Sequence, residues 1–320
     1  MKLIIQIPCY NEELTLPLTL AALPRKIPHI DCVEWLVIDD GSSDRTVDVA
    51  RAHGVDHVIS LSQHQGLAKA FLTGLETCVA AGADIIVNTD ADNQYCADDI
   101  PKLIQPVVAG WADMVIGARP VGEIDHFSPL KKHLQRLGSR VVRVLSNTNV
   151  ADAASGFRAM SRDAAMQLHV FNKYTYTLES IIQAGQKGMA VTSVPISING
   201  PLRPSRLVRS IPNYIRRQGF TVLRIFITYR PMRFFFTQGA IFVGLGTLLG
   251  LRFLYNFFTN GGGGHVQSLI LAALLITIGF FLFVVGILAD LIAVNRQLLE
   301  KVDWRLKKIE SRLAVDQRDQ

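Results

Sequence analysis

The chain has 320 residues, of which 49% are hydrophobic and 19% charged, and it carries a net charge of +6. The charged share lies below the ~25% of ordinary soluble domains, and the mean hydropathy is positive. That excludes a disordered chain, a disulfide-stapled miniprotein and a purely soluble enzyme of average make-up, and it points to a globular domain with membrane segments attached.

The chain opens Met1-Lys-Leu-Ile-Ile-Gln-Ile-Pro8. This apolar run is too short for the core of a secretory signal. It reads as a first core strand, which keeps the N-terminal domain cytosolic. Cys9, Cys32, Cys78 and Cys96 lack the spacing of a metal knuckle or a redox pair and read as reduced thiols. Up to about residue 165, short apolar runs alternate with helix-length segments. Leu3–Ile7, Glu34–Ile38, Val58–Leu61, Ile85–Thr89 and Met114–Gly117 are expected strands. Leu14–Leu23, Asp44–His53, Gly66–Ala81 and Asp98–Ala109 are expected helices. The alternation predicts an α/β domain, a mostly parallel sheet with helices on both faces. Ligands of such sheets sit outside the carboxyl ends of the strands.

Polar clusters occupy those ends. The first strand runs into Pro8-Cys-Tyr-Asn-Glu12, the second into Asp39-Asp-Gly-Ser-Ser-Asp44, and the fourth into Asp90-Ala-Asp92. Residues i and i+2 of an extended segment point the same way. Asp90 and Asp92 can therefore face one cation, and hard oxygen ligands suit Mg²⁺ or Mn²⁺. Taken singly, each cluster also suits an ordinary strand–turn–helix corner. Asn11, Glu12 and Asp44 could simply cap helices, and Gly41 permits a tight turn. Three such clusters at the same end of successive strands argue for a site.

From Ser180 to Ala289, 110 residues contain no Asp or Glu. Arg203, Arg206, Arg209, Arg216, Arg217, Arg224, Arg230 and Arg233 crowd the approach to an apolar run. That placement suits anionic membrane lipid rather than nucleic acid, since no RNA-recognition fold, zinc finger or helix-turn-helix is legible. Residues 209–230 read as an amphipathic juxtamembrane helix with cationic and apolar sides. Two stretches, about 232–257 and 267–290, are long enough to span a bilayer. Their basic flanks put both ends in the cytosol and the short Gly261–Gly264 loop outside. Residues 294–320 read as a cytosolic amphipathic tail helix. Its Leu299, Val302, Leu306, Ile309 and Leu313 follow coiled-coil spacing, which permits a homo-oligomer, dimer or tetramer; a helix lying on the membrane surface fits equally. The expected organisation is thus a catalytic domain over 1–208, the interface helix, two spans within 231–293 and the tail.

Four ordered motifs reach a family. Pro8-Cys-Tyr-Asn-Glu12, Val37-Ile-Asp-Asp-Gly-Ser-Ser-Asp44, Asp90-Ala-Asp-Asn-Gln94 and Ser155-Gly-Phe-Arg158 together resemble glycosyltransferase family 2, with its GT-A fold. Within it the chain is most similar to the polyprenyl-phosphate glycosyltransferases, of the dolichol-phosphate mannose synthase and bacterial undecaprenyl-phosphate glucosyltransferase kinds. The motifs cover roughly residues 3–160. The resemblance implies donor binding by Pro8, Tyr10, Glu12 and Asp39 around base and ribose, and by Asp90, Ala91, Asp92 and Gln94 at a metal–diphosphate site, the metal ligands being Asp90 and Asp92. It implies Arg119 near the phosphates and Arg158 on the acceptor-side loop, both helping to hold the acceptor phosphate. Asp152 would stand near the reacting centre, Arg136 and Ser139 at the acceptor phosphate, and Arg206 on a loop closing over the donor.

The implied reaction is inverting transfer of one sugar from a nucleotide sugar, a UDP-sugar ahead of GDP-mannose, to a polyprenyl phosphate. Asp92, Asp152 and Arg158 would carry it, with Mg²⁺ or Mn²⁺ as cofactor. The Gln-x-x-Arg-Trp of processive synthases is absent from the sequence, which argues for single transfer. Tyr95 departs from the His that many relatives carry after the Gln. Two alternatives stay open: a family 2 transferase with a hydroxyl acceptor, glycan or lipid, and a catalytically inactive membrane scaffold.

Overall fold

The computed structural model describes residues 1–120, 129–170, 176–200, 219–220, 223–224, 226–260 and 266–316. β1 (Lys2–Cys9) is the heart of a seven-stranded sheet. From Leu3 to Cys9 every side chain is buried, as expected of a strand covered on both faces. β2 (Cys32–Asp39) and β4 (Ile85–Asn88) flank it in parallel, and β3 (His57–Ser60) pairs outside β2. Beyond β4 lie β6 (Arg158–Ser161), β5 (Met114–Ala118) and the edge strand β7 (Val191–Pro195), giving the order β3-β2-β1-β4-β6-β5-β7.

The five strands expected from the sequence are all present. Two more, β6 and β7, were not expected. β6 runs antiparallel to both neighbours, and this reversal positions the site. Asn88 at the carboxyl end of β4 pairs with Arg158, the first residue of β6. The loop that ends at Arg158 therefore arrives at the same sheet edge as the loops leaving β1, β2, β4 and β5.

Helices cover both faces. Leu3, Ile5 and Ile7 pack in one core with α1 (Leu16–Ala22) and α4 (Ile100–Val108). On the opposite face α3 (Leu67–Ala80) lies so close that a Cβ on Gly74 would collide with Gln6 and Ile38. α2 (Thr46–Ala52) packs beside α1, while α5 (Pro129–Ser146) packs beside α7 (Thr177–Gln186). The short α6 (Arg162–Gln167) follows β6, its first turn capped by the Ser161 hydroxyl accepting from the Ala164 N–H.

The chain divides into two units, Met1–Thr221 with Asp303–Gln320, and Val222–Val302. The second holds most of two long helices, α8 (Pro231–Asn260) and α9 (Val266–Asp316). Both are long and apolar enough to cross a membrane. Their side chains are largely exposed, Leu248 at 66% and Phe280 at 67% among them. A core helix of a soluble domain would bury such residues. The pair touch backbone to backbone, for a Cβ on Gly279 would sit 2.8 Å from the Gly239 carbonyl oxygen. Small residues at the crossing are what lipid-embedded helices use to approach.

The tail differs from expectation. It is no separate helix but the continuation of the second span, since residues 290–316 contain neither Gly nor Pro to break it. Within the first unit its end meets the globular part. His169 Nε2 stands 3.8 Å from the Asp303 carboxylate and Lys308 Nζ 3.9 Å from that of Asp163. Leu299, Val302, Leu306 and Ile309 remain exposed. The expected interface helix over 209–230, Arg206 and the glycine loop lie wholly or largely outside the described residues.

Candidate active site

The loops after β1 and β2 are held by side chains that bond to backbone groups. Asn11 adopts a left-handed conformation, φ 54°, which Asn tolerates better than most residues. Its N–H donates to Ser42 Oγ at 2.8 Å, and its side-chain oxygen accepts from the Ser43 N–H at 2.8 Å. The loops after β1 and β2 are thereby stapled together. Pro8 is buried in β1 opposite Ile38. Glu12 is buried too, accepting from the Thr15 hydroxyl at 2.6 Å. Asp39, also buried, accepts from the Ser42 N–H at 3.1 Å.

Its neighbour Asp40 does something the sequence did not reveal. Its carboxylate accepts from the N–H groups of Gln65 and Gly66, each at 2.8 Å, and lies 2.8 Å from His64 Nδ1. The loop before α3 is thus clamped onto Gly41, where any Cβ would fall 2.6 Å from the Gln63 carbonyl carbon. The clamp lays His64 against Tyr10, ring centroids 4.0 Å apart. Tyr10 and His64 make a half-exposed stacked pair at the mouth of the loops; the only sequence sign of it was a polar His-Gln-Gly run before a helix.

The carboxylate pair follows β4. Asp92 accepts from the Gln94 N–H at 3.2 Å in a turn closed by Asn93, φ 54°. Ala91 is fixed by Thr19 of α1, whose hydroxyl donates to its carbonyl at 3.0 Å. Gln94 is fixed by the chain after β7, the Asn199 N–H donating to its carbonyl at 2.8 Å. Burial, then the nearby Asp92 charge, push the Asp90 carboxyl up to about 7, against the pull of Arg119. A half-buried carboxyl crowded by a second carboxylate is short of positive charge, and that deficit fits a hard divalent cation. Among the described residues no third Asp, Glu, His or Cys joins the pair to complete a metal shell. Water and ligand oxygens would supply the rest.

Beyond β4, Arg119 leaves the end of β5 and grips Asp152 through two bonds, Nε to Oδ2 at 2.6 Å and an Nη nitrogen to Oδ1 at 3.2 Å. Gln135 of α5 donates to the same carboxylate at 3.2 Å, as does the Ala154 N–H. Asp152 is 2% exposed. Burial opposes the charge on Arg119, but Tyr95, Asp152 and Asp90 around it hold its pKa above the ordinary value. Ser139 of α5 is buried beneath this loop and its hydroxyl accepts from the Ala153 N–H at 3.2 Å. Arg136, a residue after Gln135 on the same helix, is exposed.

Arg158 requires a correction. It was expected to present its guanidinium to an acceptor phosphate. It is instead 0% exposed. One nitrogen donates to the Ser180 hydroxyl at 2.6 Å and to the Thr177 carbonyl at 3.4 Å; another donates to the Ser155 carbonyl. Burial draws its pKa below the ordinary guanidinium value. Its charge lies under the site, close enough to act on Asp90, and its fork holds the Ser155 turn and the first turn of α7.

The structure thus brings Asp90, Asp92, Arg119 and Asp152 to one edge, with the Tyr10, Glu12 and Asp39 loops along it. A GT-A sheet with acidic and cationic groups at the carboxyl ends of its strands defines a glycosyltransferase. The profile of Glycosyl transferase family 2 matches residues 4–168, more than half the chain, and the protein belongs to that family.

Its relatives include the undecaprenyl-phosphate mannosyltransferase of Micrococcus luteus, 30% identical over 207 residues, covering 62% of this chain and 83% of that protein. The UDP-N-acetylglucosamine–dolichyl-phosphate N-acetylglucosaminyltransferase of Methanococcus voltae is 31% identical over 212 residues, covering 59% and 82%. Among solved structures, glucosyl-3-phosphoglycerate synthase from Mycobacterium tuberculosis, in complex with Mn²⁺, uridine diphosphate and phosphoglyceric acid, shares the fold. Its TM-score is 0.55 at 20% identity, over 71% of this chain and 78% of that one.

Proposed function

We propose that this glycosyltransferase moves one sugar from a nucleotide sugar, a UDP-sugar ahead of GDP-mannose, to a polyprenyl phosphate at the cytosolic face of the membrane that its two long helices cross. The observation that carries the reading is the half-buried Asp90/Asp92 pair beside the Arg119–Asp152 pair. The two relatives share a polyprenyl-phosphate acceptor in their names and differ in the sugar.

A divalent ion on Asp90 and Asp92, Mg²⁺ or Mn²⁺, would offset the charge that grows on the departing diphosphate. Pro8, Tyr10, Glu12 and Asp39 hold the nucleoside, with His64 extending the Tyr10 stack. Arg119 faces the phosphates, its guanidinium aimed by Asp152. A lipid phosphate is mostly ionised at pH 7, with a second pKa of about 6. It attacks the anomeric carbon without needing a strong base. Asp152 supports that economy: its carboxylate already accepts from Arg119, Gln135 and Ala154, so it positions rather than abstracts. A hydroxyl acceptor would need a general base, and this geometry disfavours it. Attack opposite the leaving group inverts the anomeric centre.

The outer face of α5 suits an acceptor lodged in a bilayer. Arg136, Arg140 and Arg143 are exposed there beside the exposed Leu137 and Val144, and the helix holds no acidic residue. Cations interleaved with apolar side chains match an anionic lipid surface. The test is purified full-length protein with polyprenyl phosphate, Mg²⁺ and a panel of labelled nucleotide sugars. Label in the organic extract from one donor is the expected result. No lipid-soluble product from any donor, with label passing to a glycan hydroxyl instead, would overturn the acceptor.

A further inference from the structure

Tyr95 lies between the two halves of the site and has no part in the roles above. It is 4% exposed. Its ring stacks on Phe157, centroids 5.0 Å apart and planes within 9°. Its backbone is bridged to Ile198. The phenol oxygen accepts the Gly156 N–H at 2.9 Å. That leaves the hydroxyl hydrogen to donate, and Tyr95 lies close enough to the Asp90 carboxylate to favour its charge.

Gly156 is just as constrained. Its carbonyl accepts from Asn88 Nδ2 at 2.9 Å, and Asn88 is in turn held by Gln6 Nε2 at 2.9 Å. A Cβ on Gly156 would fall 2.9 Å from Asp90 Oδ1, so the carboxylate lies directly against this backbone. Gly156 belongs to the loop that begins at Asp152, the partner of Arg119, and ends at Arg158.

We propose that Tyr95 is a positioning residue which locks Asp90 to the 152–156 loop, so that the carboxylate pair and the Arg119–Asp152 pair keep one register. The phenol does this with a single oxygen, donating to a carboxylate on one side and accepting from a backbone on the other. The inference rests on the metal reading of Asp90 and Asp92.

The test is Mn²⁺ binding to full-length protein in detergent with UDP present, read by the loss of the free-ion EPR signal. Tyr95→Phe keeps the stacked ring and removes the hydroxyl. Its Mn²⁺ Kd should rise about tenfold, the scale of one hydrogen bond to a charged group. At saturating Mn²⁺, kcat should still fall, because the acceptor-side loop has lost its tie, while the KM for nucleotide sugar stays near that of the wild type. A merely structural tyrosine would lower Tm and the active fraction and leave Kd unmoved in the folded protein; that result overturns the proposal. Gly156→Ala presses a methyl on Asp90 and should weaken Mn²⁺ in the same direction, which decides the matter if Tyr95→Phe fails to fold. Wild-type protein that binds no Mn²⁺ with UDP would remove the metal reading and this inference with it, and the wild-type titration alone tells that failure from the other.

Discussion

The two halves of the sheet hold their loops by different means. On the β1–β2 side, carboxylates and an asparagine accept backbone N–H groups: Asp39 from Ser42, Asp40 from Gln65 and Gly66, Asn11 from Ser43. On the β5–β6 side buried arginines organise the loops, Arg158 through Ser155, Thr177 and Ser180, and Arg119 through Asp152. The first design sets each acceptor against neutral backbone donors, within a turn for Asp39 and across the chain for Asp40 and Asn11. The second carries full charges inside a core, where losing one partner strands the other. The acceptor half should therefore fail by unfolding and the donor half by losing ligand.

The largest effect expected is at Arg158. Arg158→Ala would leave a cavity and strip the Ser155 and Thr177 carbonyls of their donor. A loss of about 3–5 kcal/mol is expected from such a site, visible as a depressed Tm. Arg158→Lys, which keeps the charge without the fork, should lie between. A normal Tm with a raised KM for the lipid would return Arg158 to the acceptor and break the contrast. Next comes Asp92→Ala, on the loop where acceptors are local. Activity should fall at least ~10²-fold, in the range of a lost electrostatic contact to the leaving group, with Tm within a degree or two of the wild type. Near-normal turnover would remove the metal role.

Half of this contrast was legible in the sequence. β1, β2 and β4 are continuous apolar runs, and their ends are marked by acidic clusters, so the donor side could be drawn from composition and spacing alone. β6 could not. Its four residues, Arg-Ala-Met-Ser, include an arginine, a side chain almost never fully buried unless paired. β7, Val-Thr-Ser-Val-Pro, is a half-exposed edge with little apolar signal. Arg158 was therefore read as a surface ligand because only the antiparallel turn of β6 takes it inside. The Tyr10–His64 stack joins positions far apart in the chain, and no local pattern announces it. The tail failed for a simpler reason. The change from apolar to charged residues near 290 is a change in the composition of one continuous helix, not its end.

Asp90 sharpens the comparison from the side of stability, because the fold disfavours its charge. Its ordinary pKa is 3.8 and its folded value about 7. Below about pH 4 the carboxyl is protonated in both folded and unfolded chains and no stability is lost. Between there and about pH 7 the unfolded chain releases the proton while the fold retains it, so stability falls as pH rises; above about 7 the loss is complete. Asp90→Asn mimics the protonated acid. In chelator, the variant should be more stable than the wild type at pH 8, by a few kcal/mol at most, and nearly equal at pH 4, while losing activity. Equal Tm values at pH 8 would mean that the site already compensates the charge.

The smallest effect concerns His64. Its ring stacks on Tyr10 and pairs with Asp40, and it is half exposed, so its removal leaves Asp40 with its two backbone donors. His64→Ala should cost the stack alone, ~1 kcal/mol or about fivefold in nucleotide Kd, with Tm and the response to lipid acceptor unchanged. Tyr10→Ala should give the same change, and the double variant should lose little more than either, because the two rings form one surface and their contributions are not independent. Additive losses would mean that each ring meets the nucleotide separately. A loss confined to the lipid KM would place this corner on the acceptor side and dissolve the division between the halves.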